Sequence, residues 1–379
     1  MKRMLLTLTA AFVAAGVVQA PGAVAATYKI GVAGPMTGEQ SKMGTDFQNG
    51  VKLAVEEWNA ANPNYRMEIV IGDDQADPRQ AVAVANKFVN EGVLAVIGHF
   101  NSSCSIPAST IYHDNNMVQI TPASTNPQLT DRGLWNVFRT CGRDDQQGKV
   151  AADFVAARKI KRVAILHDKT TYGQGLADAF RDVLKKSHKI EPVFYGGISK
   201  EDKDYSAVLT SVKAQNPEVV FFGGIYPQAG LLVKQMRDLG IKARFMSGDG
   251  VIDPEFVKIA GKEAAEGTWL TFSPDIKNIP EAKKVVETYE KKFGPVGPYS
   301  IYAYTAAKIL FESIKATGAK STKDSKKIAE HIRKTTWNTP LGRIQYDQKG
   351  DVRVSPYVVY ETRNGEFVQI TGLKQQAQR

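Results

Sequence analysis

The sequence is poor in the residues that most often carry chemistry. It holds only two cysteines and five histidines in 379 residues. The histidines (His99, His113, His167, His188 and His331) show no pairing at helical spacing that would ligate a metal. A Gly-x-Ser-x-Gly elbow, a Walker loop and a paired-histidine zinc motif are all missing, which removes three common enzyme classes. Gly31-Val32-Ala33-Gly34 begins like a dinucleotide turn, but the third glycine and the helix start are misplaced. No cofactor and no metal are therefore expected. Beyond the N-terminal region no run is apolar for long enough to span a membrane. No basic stripe interleaved with aromatics occurs, so nucleic acid is not an expected partner.

The N-terminal region itself reads as an export signal. Lys2 and Arg3 give a positive start, an apolar run covers residues 4–18, and Ala23-Val24-Ala25 has the small-x-small form of a cleavage site. Cleavage is expected near Ala25, making 1–25 a signal peptide and the mature protein periplasmic; an uncleaved anchor is the alternative. No cysteine lies there to take a lipid. The formal charge is +10. The pairs Lys185-Lys186, Lys283-Lys284 and Lys326-Lys327 fall in predicted helices, where a solvated face is the default. After export, Cys104 and Cys141 permit one disulfide, worth at most about 3–4 kcal/mol, or remain two small buried thiols.

Short β-rich apolar runs alternate with amphipathic runs of helical period, the pattern of βα units on a parallel sheet. Strands are expected at 28–33, 67–71, 94–97 and 117–121. A second series gives 162–167, 190–195, 219–223, 244–247 and 267–272, with closing strands at 352–361 and 366–370. Phe47, Val51, Ala54, Val55 and Trp58 mark the buried face of the first helix, and Ala81, Val84, Ala85 and Phe88 that of the second. The fold class is α/β, with two Rossmann-like lobes. No flexible linker separates the two series, so short crossovers forming a hinge are expected.

Ligands in open α/β sheets sit beyond the carboxyl ends of the strands, which directs attention to the loops there. Gly98-His99-Phe100-Asn101-Ser102-Ser103 follows a strand and precedes a helix. It reads either as a carboxylate site built from hydroxyls, free N–H groups and the helix dipole, or as plain serine N-capping. Thr121-Pro122-Ala123-Ser124-Thr125 offers a hydroxyl and a carbonyl, or is simply a turn. Asp249 could hold an ammonium group or cap the segment after it. Tyr172 could wall a cleft or anchor its loop. Ser102 and Asp249, on opposite lobes, would together suit a zwitterion. Asp73, Asp74 and Asp77 read as loop caps, since the spacing of a calcium loop is lacking. His99 and His167 read as structural.

These segments together resemble the leucine/isoleucine/valine-binding protein family of type I periplasmic receptors, over essentially the whole mature chain. The resemblance is carried by Gly34-Pro35-Met36-Thr37-Gly38, Asp73-Asp74 with Asp77-Pro78-Arg79-Gln80, Val96-Ile97-Gly98-His99, Ile120-Thr121-Pro122-Ala123, His167-Asp168-Lys169 with Tyr172-Gly173, and Gly342 with Asp347 and Gly350. It implies two lobes joined by three crossovers, 27–142 with 272–346 and 143–271 with 347–379. It also implies a ligand captured between them for delivery to the membrane permease of an ABC importer, and a monomer. By resemblance, Ser102 and Thr125 would meet a ligand carboxylate. Ala123, Thr125 and Asp249 would meet the ammonium, and Tyr172 would line the second lobe. Four positions depart from the family: Met43 stands for a tyrosine, Ile225 stands for an aromatic, with Tyr226 beside it as the expected ligand-binding residue, and Ala76 and Asn101 stand where a cysteine pair is usual.

Two further classes compete with a branched-chain amino-acid receptor. A binding protein for aromatic acids or other small carboxylates, or a ligand-sensing module for a receptor, would share the fold. A serine hydrolase using Ser102 and His99 is disfavoured, because two residues on one strand-end loop rarely form a nucleophile–base–orienter chain.

Overall fold

The computed structural model describes residues 26–372. The expected export signal, 1–25, lies outside the described residues. Among those described, no helix is long and apolar enough to cross a membrane.

The first half of the chain alternates β1 (Ala26–Gly34), α1 (Ser41–Ala61), β2 (Tyr65–Asp73), α2 (Pro78–Asn90), β3 (Ala95–Gly98), α3 (Ser102–Asp114), β4 (Val118–Thr121), the short α4 (Gln128–Asp131) and β5 (Val137–Arg139). The next stretch runs α5 (Asp144–Ala157), β6 (Val163–His167), α6 (Thr171–His188), β7 (Phe194–Gly197), α7 (Ser206–Ala214), β8 (Val219–Gly223), α8 (Tyr226–Asp238), β9 (Arg244–Ser247), α9 (Pro254–Ala260), α10 (Lys262–Ala265) and β10 (Trp269–Phe272). The chain closes with α11 (Lys283–Phe293), α12 (Ser300–Thr317), α13 (Ser325–Lys334), β11 (Trp337–Thr339), β12 (Gly342–Ile344), β13 (Val358–Arg363) and β14 (Glu366–Gln369).

Two parallel sheets result. The first has the order β2-β1-β3-β4-β5, and the second β14-β13-β10-β9-β8-β6-β7. Read from β6, the second sheet repeats the first: its second strand lies on one side of the first strand and the third on the other. Each sheet therefore has a switch point, β1/β3 in one and β6/β8 in the other, where crossovers leave in opposite directions and a crevice opens. Both sheets are covered on both faces, and β3, β4, β6 and β8 are buried at every residue, as fully covered parallel strands must be. The antiparallel β13 and β14 extend the second sheet at one edge.

The amphipathic helices follow the sequence pattern. The stripes read on α1 and α2 are buried, and the three lysine pairs are exposed. Helix α12 packs along α1 and carries α13, so residues after β10 return to the first sheet's body. The chain thus passes between the bodies three times: after β5, after β10 and after β12.

Several sequence expectations need correction. The strand expected at 190–195 is β7, shifted to Phe194–Gly197, and that expected at 352–361 begins only at Val358; Val352 makes a single bridge to Tyr346. Strand β5 and the β11–β12 hairpin, each strand three residues long, carry too little alternation to be seen. The disulfide permitted by Cys104 and Cys141 is not formed. Both are buried free thiols, and the Cys141 thiol donates to the Ser124 carbonyl at 3.5 Å.

A buried ion cluster ties the first passage to the third. Arg139, fully buried at the end of β5, has Nε 2.6 Å from Asp351 Oδ1, close enough to pair though out of line for a hydrogen bond. Arg143 Nη1 reaches Asp351 Oδ2 at 2.7 Å and Asp131 at 3.0 Å. Removing one partner of such a pair leaves the other charge buried alone. Asp351→Ala should therefore destabilise the fold by about 3–5 kcal/mol in urea unfolding. A loss under about 1 kcal/mol would show that Arg139 is satisfied by its carbonyl contacts and not by the carboxylate.

Candidate functional site

Strand ends from both sheets meet in one crevice. An inner cavity of about 20 Å³ is lined by Phe100, Asn101 and Ser102 after β3, Ala123 after β4, and Tyr299 just before α12. The other body supplies Tyr172 from the first turn of α6, Ile225 after β8, and Asp249 and Gly250 after β9. An outer cavity of about 250 Å³ shares Asn101, Tyr172 and Ile225 with the inner one.

Local sequence explains how these side chains are held. Gly98 has φ +141°, and a Cβ there would lie 2.3 Å from the Ala33 carbonyl, so only glycine lets β3 end this close to β1. Thr170 caps α6 by accepting from the Gly173 N–H at 3.0 Å. A Cβ on Gly173 would lie 2.4 Å from the Gly223 carbonyl, so glycine lets the first turn of α6, and with it Tyr172, press against the end of β8.

Of the residues singled out from sequence, Ser102, Ala123, Tyr172 and Asp249 line the inner cavity together. Ser102 and Asp249 thus face one space. Ser102 does not cap its helix: Oγ accepts from the Asn126 N–H at 3.2 Å, and the α3 N-terminus carries no side-chain cap. Of the two readings of that loop, serine capping is absent. Thr125 is fully buried with its hydroxyl unpaired, outside the cavity lining, and its carbonyl accepts from the Asp144 N–H at 3.0 Å. Tyr226 is also outside the lining. Its hydroxyl donates to the Glu39 carbonyl at 2.6 Å, a contact between the two bodies, and Ile225 takes the place on the cavity wall. Met43 packs in the apolar cluster that includes Phe100, Tyr226 and Tyr299.

The electrostatic centre is Asp249, 2% exposed. Tyr172 donates to its Oδ1 at 2.7 Å and in turn accepts from the Gly250 N–H at 2.9 Å. Tyr299, from the other body, donates to Oδ2. Burial pushes the Asp249 carboxyl above the usual carboxylate range, and the two phenols pull it part of the way back. Burial and the Asp249 charge raise both phenols well above their ordinary value, so they act as donors. Asp144, fully buried at the start of α5, has neither oxygen paired; burial first and the Asp249 charge second hold it well above the carboxylate range. Sequence reasoning missed Tyr299 and Asp144. Each reads locally as an ordinary helix-start residue; Asp144 reaches Asp249 within one body, and the meeting of the two bodies brings Tyr299 to it.

The other residues flagged from sequence have structural partners. His99 is buried between Asp74, at 2.7 Å, and the Tyr112 hydroxyl, at 2.9 Å, which leaves neither ring nitrogen to serve Ser102 as a base. Asp73 accepts from Met36 N at 2.9 Å and from the Thr37 hydroxyl at 2.6 Å, and Asp77 caps α2 through the Arg79 N–H at 2.7 Å. Among the described residues no group of three or more His, Cys, Asp or Glu side chains is arranged to hold a metal ion.

Asp168, 3% exposed, stands in the outer wall. Burial raises its carboxyl to about 6, against the Thr170 N–H and hydroxyl that donate to it at 2.9 and 2.7 Å. A raised folded pKa means that the folded state binds the proton more tightly than the unfolded chain. That contribution to stability is present below the ordinary carboxylate range and is lost as pH rises through about 6. Asp168→Asn keeps an acceptor for both Thr170 bonds. It should exceed wild type in stability at pH 8 by on the order of 2–3 kcal/mol, and the gap should close towards pH 4. A pH-independent gap in thermal unfolding would exclude this titration.

Residues 27–366 match the sequence pattern of the periplasmic binding protein family. The chain is 45% identical over 338 residues to the "Amino acid binding protein" of Pseudomonas aeruginosa, covering 88% of this chain and 89% of that one. It is 44% identical over 341 residues to the Leu/Ile/Val-binding protein homolog 2 of Brucella abortus, covering 89% and 91%. Among solved structures, the leucine-binding protein LivK of Thermotoga maritima superposes with a TM-score of 0.83 at 32% identity, covering 91% of this chain and 98% of that one.

Proposed function

The chain belongs to the periplasmic binding protein family and is a binding protein rather than an enzyme, and from that premise we propose that it is the receptor of an ABC importer that carries an α-amino acid from the periplasm to its permease. The observation that carries this reading is one buried carboxylate, Asp249, facing Ser102 across a small cavity with the uncapped N-terminus of α3 beside it. A ligand ammonium against Asp249 offsets the cost of burying that charge. A ligand carboxylate at Ser102 meets a hydroxyl and the positive end of a helix dipole. Relatives named for leucine, isoleucine and valine make branched-chain amino acids the first candidates. An aromatic acid without an ammonium group would leave Asp249 buried and unpaired, which disfavours the competing carboxylate reading.

The lobes are taken as 27–142 with 272–346 and 143–271 with 347–379, closing about the three passages. Ser102, Ala123, Tyr172 and Asp249 are assigned to the ligand. Thr125 is assigned to the support of that site through Asp144, and Tyr226 to the contact between the lobes. Export depends on cleavage near Ala25. The protein acts as a monomer.

Isothermal titration tests the assignment. Asp249→Asn should weaken amino-acid binding by about 100-fold or more, since a buried ammonium loses its charged partner. Ser102→Ala should cost roughly tenfold. The pH dependence has a definite sign: the Asp249 carboxyl is raised in the free protein, so cation binding releases its proton and wild-type affinity falls as pH drops through that raised value. Asp249→Asn should remove this slope. Equal affinities for wild type and both variants would overturn the site.

A further inference from the structure

The residue where the inner and outer cavities join has an unmet bonding demand. Asn101 precedes α3 but does not cap it. Its Nδ2 donates instead to Gln40 Oε1 at 2.9 Å, which fixes the plane of the amide. Its Oδ1 is buried and has no hydrogen-bond partner. Asn101 lines both cavities. It therefore stands where the side chain of an amino acid would leave the inner cavity, once its charged groups sit at Ser102 and Asp249.

The wall beyond is not that of an aliphatic pocket. Gln40, Gln75, Asp168, Thr170, Lys200 and Gln228 contribute to it, and Ile225 and the Tyr172 ring are its larger apolar surfaces. Oδ1 is already shut off from water, so an aliphatic side chain lying across Asn101 would leave it unsatisfied, whereas a side-chain donor would supply the missing partner. An unsatisfied buried acceptor costs on the order of 1–3 kcal/mol, and it penalises the ligand that lacks the donor.

We propose that the ligand is an amino acid whose side chain carries an O–H or N–H donor, a hydroxyl or a carboxamide, and that Asn101, positioned by Gln40, is the residue that selects it. The charges nearby do not call for a charged side chain. Lys200 lies 3.7 Å from Glu201, and Glu39 pairs with Lys203, so the acidic groups of the outer wall, Asp168 apart, already have cationic partners. The proposal rests on the amino-acid reading above and replaces its first candidates, the branched-chain amino acids, with a polar side-chain class.

Near-isosteric ligand pairs test it directly by titration calorimetry on the full mature chain. Threonine should bind more tightly than valine, and glutamine more tightly than methionine, with at least one pair separated by about tenfold or more. Asn101→Leu should abolish or reverse that preference while still binding valine or methionine, which also shows that the variant folds. Asn101→Asp, which keeps the acceptor, should retain it, and Gln40→Ala should reduce it. Valine and methionine binding wild type as tightly as their polar partners would overturn the proposal and leave the amino-acid reading intact. Failure of every amino acid to bind would instead defeat the reading on which it rests.

Discussion

A carboxylate without a cationic partner, shut away from water, organises the centre of this molecule. Asp249 is held by Tyr172 from its own body and by Tyr299 from the other. Neutral phenols cannot repay the desolvation of an anion, so its carboxyl stays above the ordinary range. The unpaired Asp144 beside it experiences the same penalty more strongly. Such a site is expensive in the folded state and gains most from a small cation with its own counter-charge. In the proposed reading that is the physical meaning of a receptor for a zwitterion: the protein carries an unresolved electrostatic strain, and the ligand would relieve it.

The fold supplies the geometry at little further cost. Because the second sheet repeats the strand order of the first, each body offers a crevice at the same kind of place, and facing the two bodies brings the crevices together. Ser102 and Ala123 come from the ends of β3 and β4, and Asp249 from the end of β9, with Tyr172 beside them in the first turn of α6. Tyr299 is different. It reaches the cavity from the loop before α12, which belongs to the first body only because the chain returns there after β10. The residue that completes the Asp249 cradle therefore depends on the second of the three passages.

This division explains what the sequence made legible. Repeating βα units show themselves through runs of five or so buried residues and through helical stripes, so the main strands and the α1 and α2 faces were readable. Three-residue strands such as β5, β11 and β12 have too few positions for any period to register. Four of the residues singled out at strand ends line the cavity, because strand-end loops can be located from the strands alone. What could not be read is anything set by the approach of the two bodies. Tyr226 sits beside Ile225 in the chain, yet the turn into α8 sends one to the Glu39 carbonyl and the other to the cavity. Thr125 is two residues from Ala123, yet it faces Asp144. The cysteines show the same limit, since a pair permitted by count and compartment is resolved only by where the two helix and loop positions fall.

Contacts between the bodies also bear on how much a ligand must contribute. Tyr226 reaches the Glu39 carbonyl, Asn126 donates to the Thr171 carbonyl at 2.7 Å, and Lys203 pairs with Glu39, all without involving the Asp249 cradle. These bonds hold the two bodies together, whereas the buried Asp249 charge opposes their contact; if the bodies hinge as proposed, the two effects set the balance between open and closed. A ligand shifts such an equilibrium only by the difference in its affinity for the two states. With the direct contacts and the desolvation penalty set against each other, the proposed reading has neutralisation of one carboxylate shift that balance towards closure. In the proposed reading the same charge that recognises the ammonium therefore also couples recognition to closure, and no separate latch is required.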